Sequence, residues 1–284
     1  MARIVVVGSV AEDEVLCIPH PLQAGSHRDA TKSERRLGGG GANTALPLAH
    51  AGHEVVLVSP LGKDDRGDWL FGQLQEAGVD TSAIVRVEGE STRSVVLVDP
   101  EGERTIVNVH RCREDGPPAR IEKMKADALY VRSRDLELAG LMAAVARRAT
   151  VVAHVPPLAR DARPAHVLVG SQSDLPPAFV ADPWDAAEGI AGSHLRWVVV
   201  TMGPHGAEAV SGDERMATPA PAVTSVDTTG AGDVFAAGLV HALLADQPMP
   251  QALATGVAWG AAGAACRGLP DRATIQALLQ RVSE

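Results

Sequence analysis

Residues 226–233 read Val-Asp-Thr-Thr-Gly-Ala-Gly-Asp and run directly into the apolar segment 234–240. A helix starting just after Gly-Ala-Gly leaves the backbone N–H groups of Gly230, Ala231 and Gly232 unpaired at its N-terminus. The helix dipole and those orphan donors point the same way, so the turn can hold an anion such as a phosphate. Asp233, in the first turn, is placed to accept a proton from a hydroxyl attacking that phosphate. A plainer role competes: Asp233 complements the dipole while Asp227 or Thr229 caps the helix. The motif therefore needs support from the rest of the chain.

Support comes from two further segments. Residues 37–45, Leu-Gly-Gly-Gly-Gly-Ala-Asn-Thr-Ala, place four glycines before a second apolar helical run, with Pro47 expected in its first turn. A flexible linker would not open directly into an apolar helix. Bare backbone at Gly38 and Gly39 lets a ligand lie close, and Asn43 offers the donor and acceptor that a polyol needs. Residues 198–207 form a buried strand entering a Gly203-x-x-Gly206 turn, a low-specificity signal by itself. Together the three segments suggest a nucleotide site at the carboxyl edge of a sheet. Neither glycine loop fits a standard fingerprint. Gly62-Lys63 lacks the flanking residues of a P-loop, and the third dinucleotide glycine is replaced by Phe235 in one loop and Thr44 in the other.

The elements that must carry these loops show a βα rhythm. Short continuous apolar runs at 4–7, 55–58, 95–98, 128–131, 151–155, 167–169 and 197–201 read as strands, most of them buried on both faces. Helix-period segments at 43–51, 65–77, 136–149 and 233–244 lie between them, which implies a mainly parallel sheet. Segments 12–37 and 92–110 break the rhythm. The second is a hairpin turning at Asp99-Pro100-Glu101-Gly102, and strands from both can pair into a small antiparallel sheet suited to a lid. The Ala- and Gly-rich stretch 242–268 reads as close helix packing.

The 284 residues are 45% hydrophobic and 21% charged, which rules out a disordered or disulfide-stapled chain. Twenty-six basic against 35 acidic residues give a net charge of −9, and only 3% of residues are aromatic, so nucleic acid is not an expected partner. Cys17, Cys112 and Cys266 stand alone, outside any disulfide or zinc pattern. The start lacks a signal-peptide pattern and no apolar run is long enough to span a bilayer, so a cytoplasmic protein with no membrane partner is expected.

In type, order and spacing, Gly-Gly-x-Gly-Ala-Asn (38–43) and Asp-Thr-x-Gly-Ala-Gly-Asp (227–233) resemble the two signatures of the ribokinase-like (PfkB) carbohydrate and nucleoside kinases. The resemblance covers essentially the whole chain. It implies a single ribokinase-like α/β domain over 1–284, a three-layer sandwich with a mainly parallel central sheet plus a small β lid from segments 12–37 and 92–110. It further implies ATP-dependent phosphorylation of a hydroxyl, usually a primary CH2OH, with Mg2+ and, in part of the family, a monovalent cation near Asp227 and Thr229. By position, Asp233 matches the catalytic base and Gly230, Ala231 and Gly232 the anion hole. Asp13, Gly38, Gly39 and Asn43 match the substrate side, and Thr201, Gly203, Gly206 and Thr228 the nucleotide side.

Three departures accompany the likeness. Where the family carries Asn-x-x-Glu to organise Mg2+, this chain has Ser171 and Asp174, a shorter carboxylate expected to act through water. Gly40 stands where Lys is common. Where ribokinases place an acidic residue, this chain has Arg132-Ser133-Arg134-Asp135. An arginine facing the pocket, taken as Arg134, would recognise a carboxylate or phosphate on the acceptor and point to a sugar acid or phosphosugar. A solvated surface pair is the plainer reading. The expected partners are a sugar-like substrate and ATP, with a homodimer pairing through the lid. A nucleoside kinase is the alternative within the enzymes, disfavoured by the few aromatics. A non-catalytic sugar or nucleotide sensor rests only on the altered 171/174 pair, and a purely structural module leaves both glycine loops unexplained.

Overall fold

Ile4 and Val6 face one side of the first strand, Val5 and Val7 the other, and all four are buried. The same alternation holds at Val55/Leu57 against Val56/Val58 and at Tyr130 against Leu129/Val131, so helices must cover both faces of this sheet. The computed structural model describes residues 1–281. In chain order its elements are β1 (Arg3–Gly8), β2 (Ala11–Cys17), β3 (Lys32–Gly38), α1 (Gly40–His50), β4 (Glu54–Val58), β5 (Pro60–Gly62), α2 (Asp65–Glu76), β6 (Val85–Val87), β7 (Arg93–Val98) and β8 (Arg104–His110). The second half adds β9 (Ala128–Arg132), α3 (Ala139–Ala146), β10 (Thr150–His154), β11 (Val167–Ser171), α4 (Pro177–Ala181), α5 (Pro183–Ala191), β12 (Trp197–Thr201), β13 (Ala207–Val210), β14 (Arg215–Thr218), α6 (Ala231–Leu244), α7 (Met249–Ala264) and α8 (Arg272–Arg281).

Eight strands form the main sheet in the order β14-β13-β12-β11-β10-β9-β1-β4, all running the same way except β13, which pairs antiparallel with both β12 and β14. Helices α1, α6 and α7 pack on one face, α3 and α5 on the other, giving the three-layer α/β/α architecture. The chain leaves β1 toward β4 on one side and resumes at β9 on the other. A crevice therefore opens beyond the carboxyl ends of β1 and β9, where Gly8 lies in register with Arg132. Both glycine loops lead into helices on the α1/α6 face of this crevice.

The two segments outside the βα rhythm form a separate four-stranded sheet, β3-β2-β7-β8. Its two hairpin-like pairs are antiparallel as expected, but they join through a parallel pairing of β2 with β7, so the sheet is mixed. Helix α1 begins at Gly40, earlier than the periodicity predicts, because its first turn is made of glycines that carry no apolar signal. Pro47 consequently falls inside the helix rather than in its first turn. The segment 136–149 starts as a 3-10 turn capped by Asp135 and is α-helical only over Ala139–Ala146. The Ala/Gly stretch is helix packing: a side chain at Gly238 would collide with the ring of buried Trp259. Close contact between α6 and α7 fixes the start of α6.

Candidate active site

Gly230 caps α6 in a left-handed conformation, φ 78°, which only glycine adopts without strain. The Ala231 amide donates to the Thr228 carbonyl at 3.2 Å, whereas the Gly230 and Gly232 amides have no partner among the described residues. A side chain at Gly232 would project into open space, so the turn is an open cradle rather than a packed one. Free donors at the N-terminus of a helix of 14 residues suit phosphate oxygens.

Asp233 lies at the rim of this cradle, 8% exposed, with both carboxylate oxygens engaged. Asn43 Nδ2 donates to Oδ2 at 3.2 Å, and Arg132 Nε donates to Oδ1 at 2.8 Å. The two glycine loops, 190 residues apart, are thus joined at this carboxylate. The arginine that meets it is Arg132. Arg134, expected to face the substrate, is exposed and makes no hydrogen bond or ion pair among the described residues, while Arg132 ends β9 and reaches into the crevice. Strand alternation would put residues 132 and 134 on the same face, so the two are separated by β9 ending at Arg132.

Asp13 projects from β2 over Gly38, where any side chain would overlap its carboxylate, so Gly38 is fixed by close approach. Burial raises the Asp13 carboxyl to about 6, against the Ser94 hydrogen bond and Arg36, which lower it, while Asp233 adds a further push upward. Gly39 adopts φ 91° as the chain turns into α1. Beside Asp13 and Asn43 lies a cavity of about 320 Å3 whose walls include Arg35, Arg36, Trp69 and Arg267. Arg35 covers the Trp69 ring at 3.8 Å.

On the opposite side, Thr201 ends β12 and its hydroxyl lies 3.4 Å from the Gly170 carbonyl. Gly206 has φ 96° and packs against the Thr218 carbonyl, which demands glycine for backbone reasons alone; Gly203 is left-handed at φ 56°. Thr228 accepts from Arg104 at 2.8 Å and donates to the Gly102 carbonyl at 3.2 Å, tying the β7–β8 turn to the anion cradle. Ser171 is bonded to Ser173 at 2.9 Å, and Asp174 is exposed beyond β11, near enough to Arg132 to favour its charge.

No cluster of three or more His, Cys, Asp or Glu among the described residues could cage a metal. An Mg2+ ion would accordingly have to be held mainly by nucleotide phosphates and water, with Asp174 the candidate protein carboxylate on that side. The residues present do not fit a monovalent cation at Asp227. That buried carboxylate accepts from the Thr229 amide at 2.9 Å and from Arg36 Nη1 at 2.5 Å, so a guanidinium already supplies the positive charge there.

Comparison with known proteins gives a coherent result. A family model described as pfkB family carbohydrate kinase matches residues 1–273. The chain is 30% identical over 299 residues to the ATP-dependent ribose-1-phosphate kinase of Halopiger xanaduensis, covering 100% of this chain and 99% of that protein. Among solved structures it resembles the ribokinase of Thermotoga maritima, with TM-score 0.78 and 23% identity over 99% of this chain and 100% of the other. The ribokinase of Cryptococcus neoformans in complex with ADP matches equally, with TM-score 0.78, 23% identity and the same shares.

Proposed function

This chain belongs to the pfkB family of carbohydrate kinases, and from that premise we propose that it transfers the γ-phosphoryl group of ATP to a primary hydroxyl of a phosphosugar or related anionic sugar. The observation that carries the reading is Asp233 at the lip of an open amide cradle, within reach of both glycine loops. Asp233 takes the proton from the acceptor hydroxyl as its oxygen bonds to the γ-phosphorus. The bond from that phosphorus to the bridging oxygen breaks, and ADP leaves with the electron pair. The amides of Gly230, Ala231 and Gly232 face the phosphoryl oxygens where negative charge builds, with Ala231 released from Thr228 to do so. Mg2+, when bound with the nucleotide, neutralises charge on the phosphates. Thr201, Gly203, Gly206 and Thr228 flank the nucleotide, and Ser171 and Asp174 its metal side. Asp13, Asn43 and the Gly38-Gly39 backbone orient the acceptor.

An anionic acceptor is favoured by the arginines around the cavity and by the relative named for ribose 1-phosphate. Trp69 argues against a nucleoside, because Arg35 already covers the ring on which a base would stack. The four-stranded sheet acts as a lid that keeps water from the phosphoryl group. Its edge strand β8 exposes Ile106, Val107 and Val109, where a second copy can pair. The test is ADP release with Mg-ATP over neutral sugars, sugar acids, phosphosugars and nucleosides, with Asp233→Asn alongside. Turnover restricted to anionic sugars and lost in the variant is expected; turnover on nucleosides alone overturns the acceptor class, and an active Asp233→Asn overturns the mechanism.

A further inference from the structure

Arg132 crosses the crevice over bare backbone. A side chain at Gly40 would come within 2.6 Å of its Cγ, and one at Gly8 within 3.2 Å of its Cβ. The absence of a side chain at Gly40 therefore leaves room for the arginine. Its fork is only partly used. Nε donates to Asp233, Nη1 lies 3.3 Å from His154 Nδ1, and Nη2 has no partner among the described residues. His154 is not a competing charge: burial first, then Arg132, Arg134 and Arg163, hold its imidazole well below the usual range, so it stays neutral. Behind it, buried Arg163 is spent on the carbonyls of Ser133, Asp135 and Ala162 and has no carboxylate partner among the described residues. The end of β9 and β10 therefore carries an excess of positive charge beside the reacting carboxylate.

Resting on the kinase reading, we propose that Arg132 is a phosphate-binding residue whose open Nη2 takes an oxygen of a phosphate brought into the crevice. Two phosphates qualify, the γ-phosphoryl group of ATP and a phosphate on the acceptor. Among the described residues Asp233 is the only anion in contact with the guanidinium. An arriving phosphate competes for it and frees Asp233 Oδ1 to accept a proton.

The test is calorimetric binding by wild type, Arg132→Gln and Arg132→Lys, using ADP, the β,γ-imido analogue of ATP, ribose and ribose 1-phosphate. Loss of a charged contact of this kind is worth about tenfold or more. If the γ-phosphoryl group is the ligand, Arg132→Gln weakens the imido analogue at least tenfold and leaves ADP within threefold. If the acceptor phosphate is, ribose 1-phosphate weakens and ribose does not. Gly40→Ala, which crowds Arg132 without deleting it, should reproduce the same selective loss and add nothing in the Arg132→Gln background; this arm also decides if the arginine variants fold poorly. Four unchanged affinities, four equal losses, or a wild type that gains nothing from either extra phosphate would overturn the proposal. Turnover is measured on the same samples, so a wild type silent on every acceptor refutes the kinase reading while the affinities still decide Arg132.

Discussion

The eight-stranded sheet and the four-stranded sheet are held in place by different forces. In the first, side chains on both faces are buried in two continuous apolar layers. In the second, the buried apolar group is just Val15, Val96 and Val98, and β8 is exposed along its whole length. Polar contacts attach it instead. Arg36 from β3 pairs with Asp227, Arg104 from β8 reaches Thr228, and Glu12 from β2 binds Arg66 of α2 at 3.0 Å. Burial is non-directional and cooperative, whereas such pairs are individually modest and weaken with salt. The large sheet is therefore expected to stay fixed and the small one to shift more readily. Each side carries one candidate carboxylate, Asp233 on the helix packed on the large sheet and Asp13 on the small sheet.

The largest expected effect separates those two carboxylates. Asp233→Asn should cut kcat by on the order of 10³-fold with acceptor affinity nearly intact, whereas Asp13→Asn should act mainly on acceptor affinity. Steady-state kinetics of both variants read this directly, and a kcat loss shared equally would erase the distinction. Asp13 also makes a pH prediction. Burial lifts its carboxyl from an ordinary value of 3.8 to about 6 in the folded protein, so between those limits the native state holds the extra proton and stability falls as pH rises. Above about pH 6 the full penalty is about 3 kcal/mol. Asp13→Asn should thus be more stable than wild type at pH 7.5 and lose that advantage by pH 4, as denaturant melts at the two pH values would show. A pH-independent difference would mean that burial of Asp13 carries no such cost.

Equal truncations test the sheets themselves. Val6→Ala, in the large sheet, should cost about 2 kcal/mol of global stability. Val96→Ala, equally buried in the small one, should leave the main melting transition almost unmoved and instead increase protease cleavage near 92–110. Coincident shifts in the two variants would show that both sheets unfold as one unit. Smaller still, Arg36→Ala should raise the acceptor KM about tenfold through loss of a charged contact. Wild-type turnover should change less than twofold between sodium and potassium buffers, because Arg36 already occupies Asp227; strong activation by potassium would refute that role.

Much of this was legible in the chain. Continuous β-branched runs separated by helix-period segments leave a parallel sheet covered on both faces as the stable arrangement, and the structure has it. The two glycine motifs and Asp233 were also readable, since glycine followed at once by an apolar helix is a local signal. Boundaries made of glycine were not, which is why α1 starts earlier than its periodicity and Pro47 lies inside it. Nor was the parallel pairing of β2 with β7, because either register hides Val15 and Val96 equally well.

Residue order alone therefore dictates the alternation of elements, the glycine turn that starts α6 and the residue types gathered there. Which charges meet is decided in three dimensions. Arg132 rather than Arg134 reaches Asp233 because β9 ends at Arg132, in register with Gly8, and bare backbone at Gly8 and Gly40 leaves a channel for its side chain. Arg36 meets Asp227, 191 residues away, because the small sheet lies across the start of α6. Local propensity acts over a few residues, but an ion pair depends on the separation of two atoms in space, and only the packed fold sets that distance.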